Sequence, residues 1–360
     1  MTDTPFAQTL LDWFDRHGRH DLPWQHPRTA YRVWVSEIML QQTQVATVIP
    51  YFTRFMGSFP DIASLAQADE DTVMHHWSGL GYYARARNLH QATQHIMENH
   101  GGVFPENIDG VLALPGIGRS TAGAILAQAG GQRHAILDGN VKRVLTRLYA
   151  IEGWPGQKTV ENQLWALTER LTPHTRLADY TQAIMDFGAT LCRRSQPRCD
   201  NCPFCRDCLA HQQGQPRRYP TPKPRKTLPV KITRMLLLND DQGRVLLLKR
   251  PPTGIWGSLW SLPECEQDMN IVCFCREQLG IEVKNIKTGD MLRHTFSHFH
   301  LDITPVSAHA HPAACAVMAS DERVWYNSRQ PDSRGLPAPV KRLLEQMQGA
   351  NIPTGNPEQE

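Results

Sequence analysis

Five of the nine cysteines lie between residues 192 and 208, and this cluster constrains the possible folds of the chain more than any other feature. Thiolates separated by two to six residues can surround one soft metal centre. Two ligand sets fit the spacing, C-x6-C-x2-C-x5-C at 192, 199, 202 and 208, and the regular C-x2-C-x2-C-x2-C run at 199, 202, 205 and 208. The spacing alone does not choose between them.

Structural zinc and a disulfide knot are the alternatives to an iron-sulfur centre. The first residues do not resemble a secretory signal, because Asp3, Asp12, Asp15 and Arg16 interrupt the apolar positions, so we expect reduced cysteines in the cytoplasm. No stretch approaches the ~20 uncharged apolar residues of a membrane span. Metal ligands are therefore favoured over disulfide bridges, and no membrane contact is expected.

A basic, proline-rich segment divides two regions of different character. With 360 residues, of which 41% are apolar, the chain has room for about two domains. Residues 217–234 contain seven basic residues and no acidic one, although the net charge is only +3. This composition predicts an extended linker at 216–230, either simply solvated or also following a phosphate backbone.

The residue patterns predict a multidomain chain. Upstream of the linker, Val141, Val144, Leu145 and Leu148 fall at helical spacing, and 31–48 is a run without Pro or Gly. Downstream, short runs typical of strands occur at 234–238, 244–248 and 298–306. We predict an all-α domain at 1–215, the linker at 216–230, an α+β domain at 231–350 and a flexible tail at 351–360.

The segment 114–122, with Gly116 and Gly118, places two glycines before an apolar helix. Glycine lets backbones approach closely, and the free amides of a helix N-terminus suit a phosphate. This is the helix-hairpin-helix signature of sequence-nonspecific DNA contact, which we place at 112–125. A plain inter-helix turn is the alternative.

Two carboxylates stand out as candidates for acid–base chemistry. Asp138 precedes a helix that begins near residue 141, where an ordinary N-cap is the competing interpretation. Glu37 has Val33, Trp34 and Leu40 as helical neighbours and no Lys or Arg three or four residues away. Apolar surroundings would raise its pKa, as a general acid requires, whereas an ordinary surface Glu is the alternative.

Several motifs together resemble a known family. The segments 35–45 (VSEIMLQQTQV), 79–83 (GLGYY) and 137–140 (LDGN), with the glycine-rich hairpin and the first cysteine set, resemble the endonuclease III superfamily and, within it, the MutY family of adenine DNA glycosylases. The resemblance covers nearly the whole chain. It implies a 4Fe-4S cluster on Cys192, Cys199, Cys202 and Cys208, with Cys205 as an additional thiol.

The resemblance also assigns roles at the site. Hydrolysis of an N-glycosidic bond calls for two carboxylates in opposed environments. Glu37 would protonate adenine N7 and assist the water, Asp138 would stabilise or transiently bond the sugar C1′, and Asn140 would orient the site. For the binding of an extruded adenine and its DNA, the resemblance implies contacts by Arg19, Trp24, Leu40, Gln41, Gln42, Tyr82, Gly116, Gly118, Ser120, Gln182 and Met185. For Trp24 and Leu40, core packing is the alternative.

Ser120 carries a negative inference. Relatives that also cut the DNA strand have a Lys at the matching hairpin position, whose amine forms a Schiff base with the sugar. The serine implies a monofunctional glycosylase that leaves an abasic site. Lys142, close to Asp138 in sequence, could still give weak strand cleavage.

The segment 232–263 resembles the Nudix-related C-terminal domain of the same family. Residues 276–280 keep only a trace of the Glu-rich box that holds Mg²⁺ in Nudix hydrolases, which favours recognition over hydrolysis. On a strand, His294, His298 and His300 would share one face and could bind a metal. The resemblance instead implies that Phe296, Ser297 and His298 recognise 8-oxoguanine opposite the target adenine.

The implied function is removal of adenine mispaired with 8-oxoguanine or guanine in double-stranded DNA. A monomer associated with the nucleoid is expected, and contacts with repair or replication proteins are compatible with this role. Two rivals remain at this stage. One is a glycosylase/lyase acting on damaged pyrimidines, and the other is a DNA-binding or redox-sensing iron-sulfur protein without catalysis.

Overall fold

The computed structural model describes residues 4–224, 227–312, 322–332 and 334–350, without the side chains of 312 and 348–350. Contacts within it divide the chain into two units, one of Met1–Gln67 and Arg87–Arg225 and the other of Ala68–Ala86 and Lys226–Glu360. Segment 68–86 therefore groups with the second unit, although it precedes the basic linker. The tail predicted at 351–360 and linker residues 225 and 226 lie outside the described residues.

Most of the first unit is helical. Its described helices, with α5 and α13–α14 of the second unit included for numbering, are α1 (Pro5–His17), α2 (Ala30–Leu40), α3 (Val45–Ser58), α4 (Ile62–Gln67), α5 (Glu70–Trp77), α6 (Ala84–His100), α7 (Ile108–Leu112), α8 (Arg119–Gly130), α9 (Gly139–Leu148), α10 (Lys158–Leu171), α11 (Leu177–Asp186), α12 (Leu209–Gln212), α13 (Ile271–Phe274) and α14 (Ala338–Ala350). Short 3₁₀ turns occur at Pro23–Gln25, Cys199–Asn201 and Pro216–Arg218, and π-helical turns at Phe187–Leu191 and Cys275–Leu279.

Helix α9 follows the predicted pattern. Val141, Val144, Leu145 and Leu148 are all buried in the core that α1, α10 and α11 share with it. Their spacing places them on one face of the helix, so burial of that face fixes its orientation. Asp138 is the N-cap residue.

The run 31–48 is not one continuous helix. Helix α2 ends at Leu40 and α3 begins at Val45, with a turn between them that is closed by a hydrogen bond from the Thr43 N–H to the Leu40 carbonyl at 3.2 Å. Gln42 in this turn has a left-handed backbone, with φ 59°. The absence of Pro and Gly therefore did not prevent a break, because Gln42 itself adopts the conformation that glycine usually supplies.

The cysteine loop is anchored by an aromatic side chain. Phe204 stacks on Phe6 of α1 with ring centroids 4.9 Å apart and meets the Phe187 ring edge-on at 5.5 Å. The chain also remains packed past the predicted boundary at 215, because Tyr219 is buried and its carbonyl accepts a hydrogen bond from Arg147 Nε at 3.0 Å. Residues 216–218 form a 3₁₀ turn and Tyr219 is packed, so the beginning of this segment is not extended, unlike the predicted linker.

The second unit contains a mixed sheet, which agrees with the predicted α+β class. Its described strands are β1 (Val230–Asn239), β2 (Val245–Lys249), β3 (Trp260–Ser261), β4 (Glu264–Cys265), β5 (Ile281–Thr288), β6 (Leu292–Thr295), β7 (His300–Pro312) and β8 (Arg323–Tyr326). The main order is β3-β2-β1-β7-β5; β1 and β7 run parallel, with Met235 opposite Pro305. In addition, β4 pairs with β1, β6 pairs with β7, and β8 pairs with β2.

Candidate active site

Glu37 lies on α2 with part of its side chain accessible to solvent. Its Oε1 accepts a hydrogen bond from Gln128 Nε2 of α8 at 3.2 Å. Burial of the carboxyl, and after it the negative charge of Asp138, raise its pKa to about 7 in spite of the Gln128 hydrogen bond, which lowers it. A carboxyl of this kind can hold a proton near neutral pH and still reach a substrate.

Asp138 stands at the N-terminus of α9, and it does act as the helix cap. Oδ1 accepts a hydrogen bond from the Val141 N–H at 2.8 Å, and Oδ2 accepts one from Asn140 Nδ2 at 2.9 Å. Burial raises the pKa of Asp138, while these two hydrogen bonds and the charge of Arg143 oppose that rise. Capping and a chemical role are therefore compatible, since the cap fixes the carboxylate in one orientation.

The two carboxyls differ in what stabilises their charge. Asp138 has a backbone N–H, an amide and a nearby guanidinium, whereas Glu37 has the Gln128 amide. Because each carboxyl disfavours ionisation of the other, the better supported one ionises first. The geometry thus favours an ionised Asp138 beside a protonated Glu37, which is the division of labour of a general acid and an anionic stabiliser.

Arg143 connects Asn140 to the cysteine loop. Its Nη2 donates to Asn140 Oδ1 at 2.8 Å and to the Gly188 carbonyl at 2.7 Å, and its Nε donates to the Cys192 carbonyl at 2.8 Å. A Cβ on Gly188 would lie 2.6 Å from Asn140 Cβ, so this close approach requires a glycine. The orientation of Asn140 therefore depends on the backbone at Cys192.

A second network joins two residues of the predicted adenine pocket. Arg19 donates to the fully buried Asp186 from its backbone N at 2.7 Å and from Nη2 at 2.6 Å. Gln182 Nε2 donates to the same carboxylate at 2.7 Å. Arg19 and Gln182 are thus held together, 163 positions apart in sequence, by a residue that the sequence did not single out.

The remaining pocket residues differ in exposure. Trp24 is buried, with its ring edge against Phe52 at 5.4 Å, as the core-packing alternative predicts. Leu40 is half-buried at the end of α2, and Met185 packs on the edge of the core around α11. Gln41 is the C-cap residue of α2.

Two of the DNA contacts that the resemblance implies, Gln42 and Tyr82, have strained backbones. Gln42 has φ 59°, and Tyr82, which is 49% exposed, has φ 48°. Left-handed backbone at a non-glycine residue costs about 1–3 kcal/mol and persists where the surroundings enforce it, often at functional sites. Each residue therefore has a conformation that local propensity alone does not explain.

The glycine-rich hairpin has the predicted form. Gly116 has φ 80°, and a Cβ there would lie 2.8 Å from Asn88 Cβ, so a side chain does not fit. Gly118 caps α8 without a side chain, which leaves the first amides of the helix free of side-chain capping. Ser120 Oγ accepts a hydrogen bond from the Leu137 N–H at 3.0 Å, and Lys142 Nζ lies 2.8 Å from Glu161 Oε1.

All five clustered cysteines line one cavity. Burial, together with the smaller effects of Cys192, Cys208 and Cys199, raises the pKa of Cys202 to about 12. Cys192 likewise adds to the burial that raises the pKa values of Cys199 and Cys208. An all-sulfur donor set of this kind fits an iron-sulfur cluster or zinc. Cys205 is not among the leading groups that raise these pKa values.

The candidate recognition loop in the second unit joins β6 to β7. Phe296 is half-buried and stacks on Phe299 with centroids 4.6 Å apart, while Ser297 and His298 are exposed. Since His298 lies between the strands, the shared strand face expected for His294, His298 and His300 does not form. Within the described ranges, the group of three residues whose metal-ligand atoms all lie within 4.8 Å of one another is instead Asp241, His309 and His311.

Sequence reasoning missed Gln128, Arg143 and Asp186. Arg143 follows Asn140 by three residues and Asp186 follows Gln182 by four, and these are spacings at which helical side chains meet. Those two could have been found once Asn140 and Gln182 were singled out. No local signal pointed to Gln128, which is 91 positions from Glu37.

No helix in the described ranges is long and apolar enough to cross a membrane.

Comparison with known proteins gives two domain matches. Residues 35–170 match the HhH-GPD superfamily of base excision DNA repair proteins, and residues 234–346 match the NUDIX domain. Among solved structures, a thermostable thymine-DNA glycosylase is 26% identical with a TM-score of 0.52, covering 58% of this chain and 95% of that one. A non-covalent endonuclease III–DNA complex, at 20% identity and a TM-score of 0.50, shares the fold over 58% of this chain and 94% of that one.

Curated relatives extend the likeness to the whole chain. An adenine DNA glycosylase of Buchnera aphidicola subsp. Acyrthosiphon pisum (strain APS) is 39% identical over 345 residues, which cover 96% of this chain and 98% of that protein. That of Rattus norvegicus is 45% identical over 224 residues, covering 59% of this chain and 43% of that protein. On this full-length similarity, and with both domains matched in order, the chain belongs to the adenine DNA glycosylase family.

Proposed function

We propose that this chain hydrolyses the N-glycosidic bond of adenine mispaired with 8-oxoguanine or guanine in double-stranded DNA and leaves an abasic site. The observation that carries the proposal is the pairing of Glu37, whose pKa is raised to about 7, with Asp138, whose carboxylate accepts two hydrogen bonds. Adenine as the target rests on the family.

The chemistry follows from the two environments. Glu37 donates its proton to N7 of the extruded adenine, which makes the base a better leaving group as the bond from C1′ to N9 breaks. Asp138 stabilises the positive charge that develops on the sugar, and Asn140 holds Oδ2 of that carboxylate. Glu37, now ionised, then accepts a proton from the water that adds to C1′.

The absence of an amine at the hairpin supports a monofunctional enzyme. Position 120 is a serine whose hydroxyl is engaged by the Leu137 N–H, so no Schiff base can form there. The Lys142 ammonium is paired with Glu161 at 2.8 Å, which opposes its use as a nucleophile. Strand breakage should therefore require alkali.

Recognition of the opposite base is assigned to the second unit. Phe296 is supported by Phe299 and by Trp256, whose ring centroid lies 5.3 Å away, and these contacts would hold it as a rigid wedge. The exposed Ser297 and His298 side chains offer hydrogen bonds to 8-oxoguanine or its surroundings. Glu277 remains in the trace of the Nudix box, and metal-dependent hydrolysis is not part of the proposal.

The cysteine loop is proposed to hold a 4Fe-4S cluster on Cys192, Cys199, Cys202 and Cys208. The donor set fits, and Arg147 Nη1 approaches Cys192 Sγ at 3.3 Å, as expected beside thiolates. When bound, the cluster would cross-link the loop. A fixed loop would also fix the orientation of Asn140, because the Cys192 carbonyl accepts a hydrogen bond from Arg143 and Arg143 donates one to Asn140.

The proposal places the chain on DNA as a monomer, in the cytoplasm and associated with the nucleoid, where it could contact repair or replication proteins. Free amides at the start of α8 and the glycines before it support contact with the phosphate backbone. Gln42 and Tyr82 are proposed to enter the base stack from their strained turns.

Base release under single-turnover conditions tests the proposal. Duplexes that differ in one position would carry adenine opposite 8-oxoguanine, guanine or thymine, and alkali would reveal abasic sites. We expect release opposite 8-oxoguanine and guanine but not thymine, with strand breaks after alkali alone. Breaks without alkali would support the lyase alternative, and intact adenine in every duplex would support the non-catalytic one.

A further inference from the structure

Asp186 is a fully buried carboxylate that the proposed chemistry does not use. It closes α11 and accepts four hydrogen bonds. The donors are the Arg19 backbone N at 2.7 Å, Arg19 Nε at 3.0 Å, Arg19 Nη2 at 2.6 Å and Gln182 Nε2 at 2.7 Å. The ion pair with Arg19 balances its charge in a place without solvent, where an unpaired carboxylate would be costly.

The carboxylate determines which way the Gln182 amide points. An ionised carboxylate can accept hydrogen bonds but cannot donate one, so the amide must turn its NH₂ group toward Asp186. The opposite orientation would place two acceptor oxygens in contact. Within the described part of the chain, Oε1 of Gln182 accepts no hydrogen bond, so the acceptor end of this buried amide is left for another donor.

A fixed acceptor discriminates between purines at position 6. Adenine carries an amino group there, which donates a hydrogen bond, whereas hypoxanthine and guanine carry a carbonyl oxygen, which accepts one. A site built to bond one of these groups rejects the other strongly, because its own polar atom is then left unpaired.

We propose that Asp186 is a positioning residue that sets the preference for adenine by holding the Gln182 amide with its oxygen toward the base. This inference rests on the proposed function and specifies how its pocket reads position 6. It also explains why Arg19 and Gln182 share one buried partner, since the ion pair with Arg19 balances the charge of that carboxylate.

The test compares release of adenine, purine and hypoxanthine from otherwise identical duplexes under single-turnover conditions. Purine carries only hydrogen at position 6. Its release rate is therefore an internal reference for the steps of the reaction that do not depend on recognition of that position. Asparagine has one donor and one acceptor end, so in Asp186→Asn either orientation of the Gln182 amide finds a partner. We expect the adenine-to-purine ratio to fall about tenfold and the hypoxanthine-to-purine ratio to rise.

Two further variants separate positioning from stability. In a Gln182→Leu background, adding Asp186→Asn should change neither ratio, because the residue through which Asp186 acts is absent. Asp179→Asn is the matched control, because Asp179 lies on the same helix, half-buried and paired with Arg28 and Arg176, and should leave both ratios unchanged. Asp186→Ser replaces Asp186→Asn if that variant does not fold.

Equal slowing of all three bases in the Asp186 variant would overturn the inference, because it would show a merely structural role. A further fall of the ratios in the Gln182→Leu background would also overturn it. If the unaltered chain releases no adenine at all, the proposed function itself fails, and this outcome is distinguishable from adenine release with unchanged ratios in Asp186→Asn.

Discussion

Gln128 donates to Glu37 the one side-chain hydrogen bond that this carboxyl receives from the described residues, with Nε2 and Oε1 3.2 Å apart. Asp138, whose charge faces Glu37, receives two from the start of its own helix. Both residues are half-buried, so the carboxyl that receives one hydrogen bond, Glu37, keeps its proton more readily than the one that receives two. The proposed division of roles follows from this difference.

Replacement of Glu37 by Gln should stabilise the fold at alkaline pH. Burial raises the folded-state pKa of Glu37 from 4.5 to about 7, so the stability linked to its proton is complete below pH 4.5 and is lost as the pH rises through about 7. The loss amounts to about 3 kcal/mol at most. Urea unfolding should find Glu37→Gln more stable than the unaltered chain at pH 8 and equal to it near pH 4. Equal stability at pH 8 would show that the carboxyl is not held in a charge-disfavouring site.

Replacement of Arg143 by Ala should slow base release without loss of DNA binding. The variant removes the bonds to Asn140 and to the Cys192 carbonyl, so Asn140 loses its fixed orientation beside Asp138. Loss of such a supporting group typically costs about 10–100-fold in activity. Single-turnover rates and a binding titration on the same duplex would measure the two effects. Arg206→Ala, an exposed arginine in the cysteine loop, is the control and should retain the full rate.

Cysteine variants should identify the ligand set. If Cys192, Cys199, Cys202 and Cys208 hold the cluster, Cys205→Ser will keep its iron, its acid-labile sulfide and its brown colour. Cys202→Ser, which removes the thiol whose pKa burial raises most, should lose all three. Loss of iron in Cys205→Ser would favour the regular ligand run instead. Zinc without sulfide in the unaltered chain would exclude an iron-sulfur cluster.

Changes in the loop between β6 and β7 should alter the choice of opposite base rather than the chemistry. His298→Ala and Ser297→Ala remove exposed hydrogen-bonding groups, so release of adenine opposite 8-oxoguanine should slow by several-fold to about tenfold each. Release opposite guanine should change less. The ratio of the two rates is the measurement, and His309→Ala in the same unit is the control. An unchanged ratio would remove this loop from the recognition site.

Sequence reasoning was strongest where chemistry depends on local spacing. The buried face of α9 and the glycine-rich hairpin follow from positions a few residues apart, so periodicity and glycine chemistry were sufficient. The fold class and family were likewise predictable from the motifs and are confirmed by the comparisons. The break at Gln42 was missed because a left-handed glutamine leaves no compositional mark.

Other features depend on contacts between distant segments. Gln128 meets Glu37 only because α2 and α8 pack together, and Arg19 meets Asp186 across 167 positions. The packing of Tyr219 was missed for a related reason. The basic, proline-rich composition of 216–230 predicts an extended conformation for the segment as a whole. The conformation of its first residues is instead set by the burial of the Tyr219 ring and by the hydrogen bond from Arg147 to the Tyr219 carbonyl.

The pH dependence of adenine release opposite 8-oxoguanine tests the central claim most directly, because it reports the protonation state of Glu37 during the reaction. The acid form exists below its pKa of about 7, so the single-turnover rate should fall as the pH rises through that value. Glu37→Gln should lower the rate by about 10²–10⁴-fold and remove this fall, while DNA binding persists. Glu98→Gln, an exposed glutamate on α6, should behave as the unaltered chain does. A rate that does not fall across pH 7, or a Glu37→Gln variant as fast as the unaltered chain, would contradict the account.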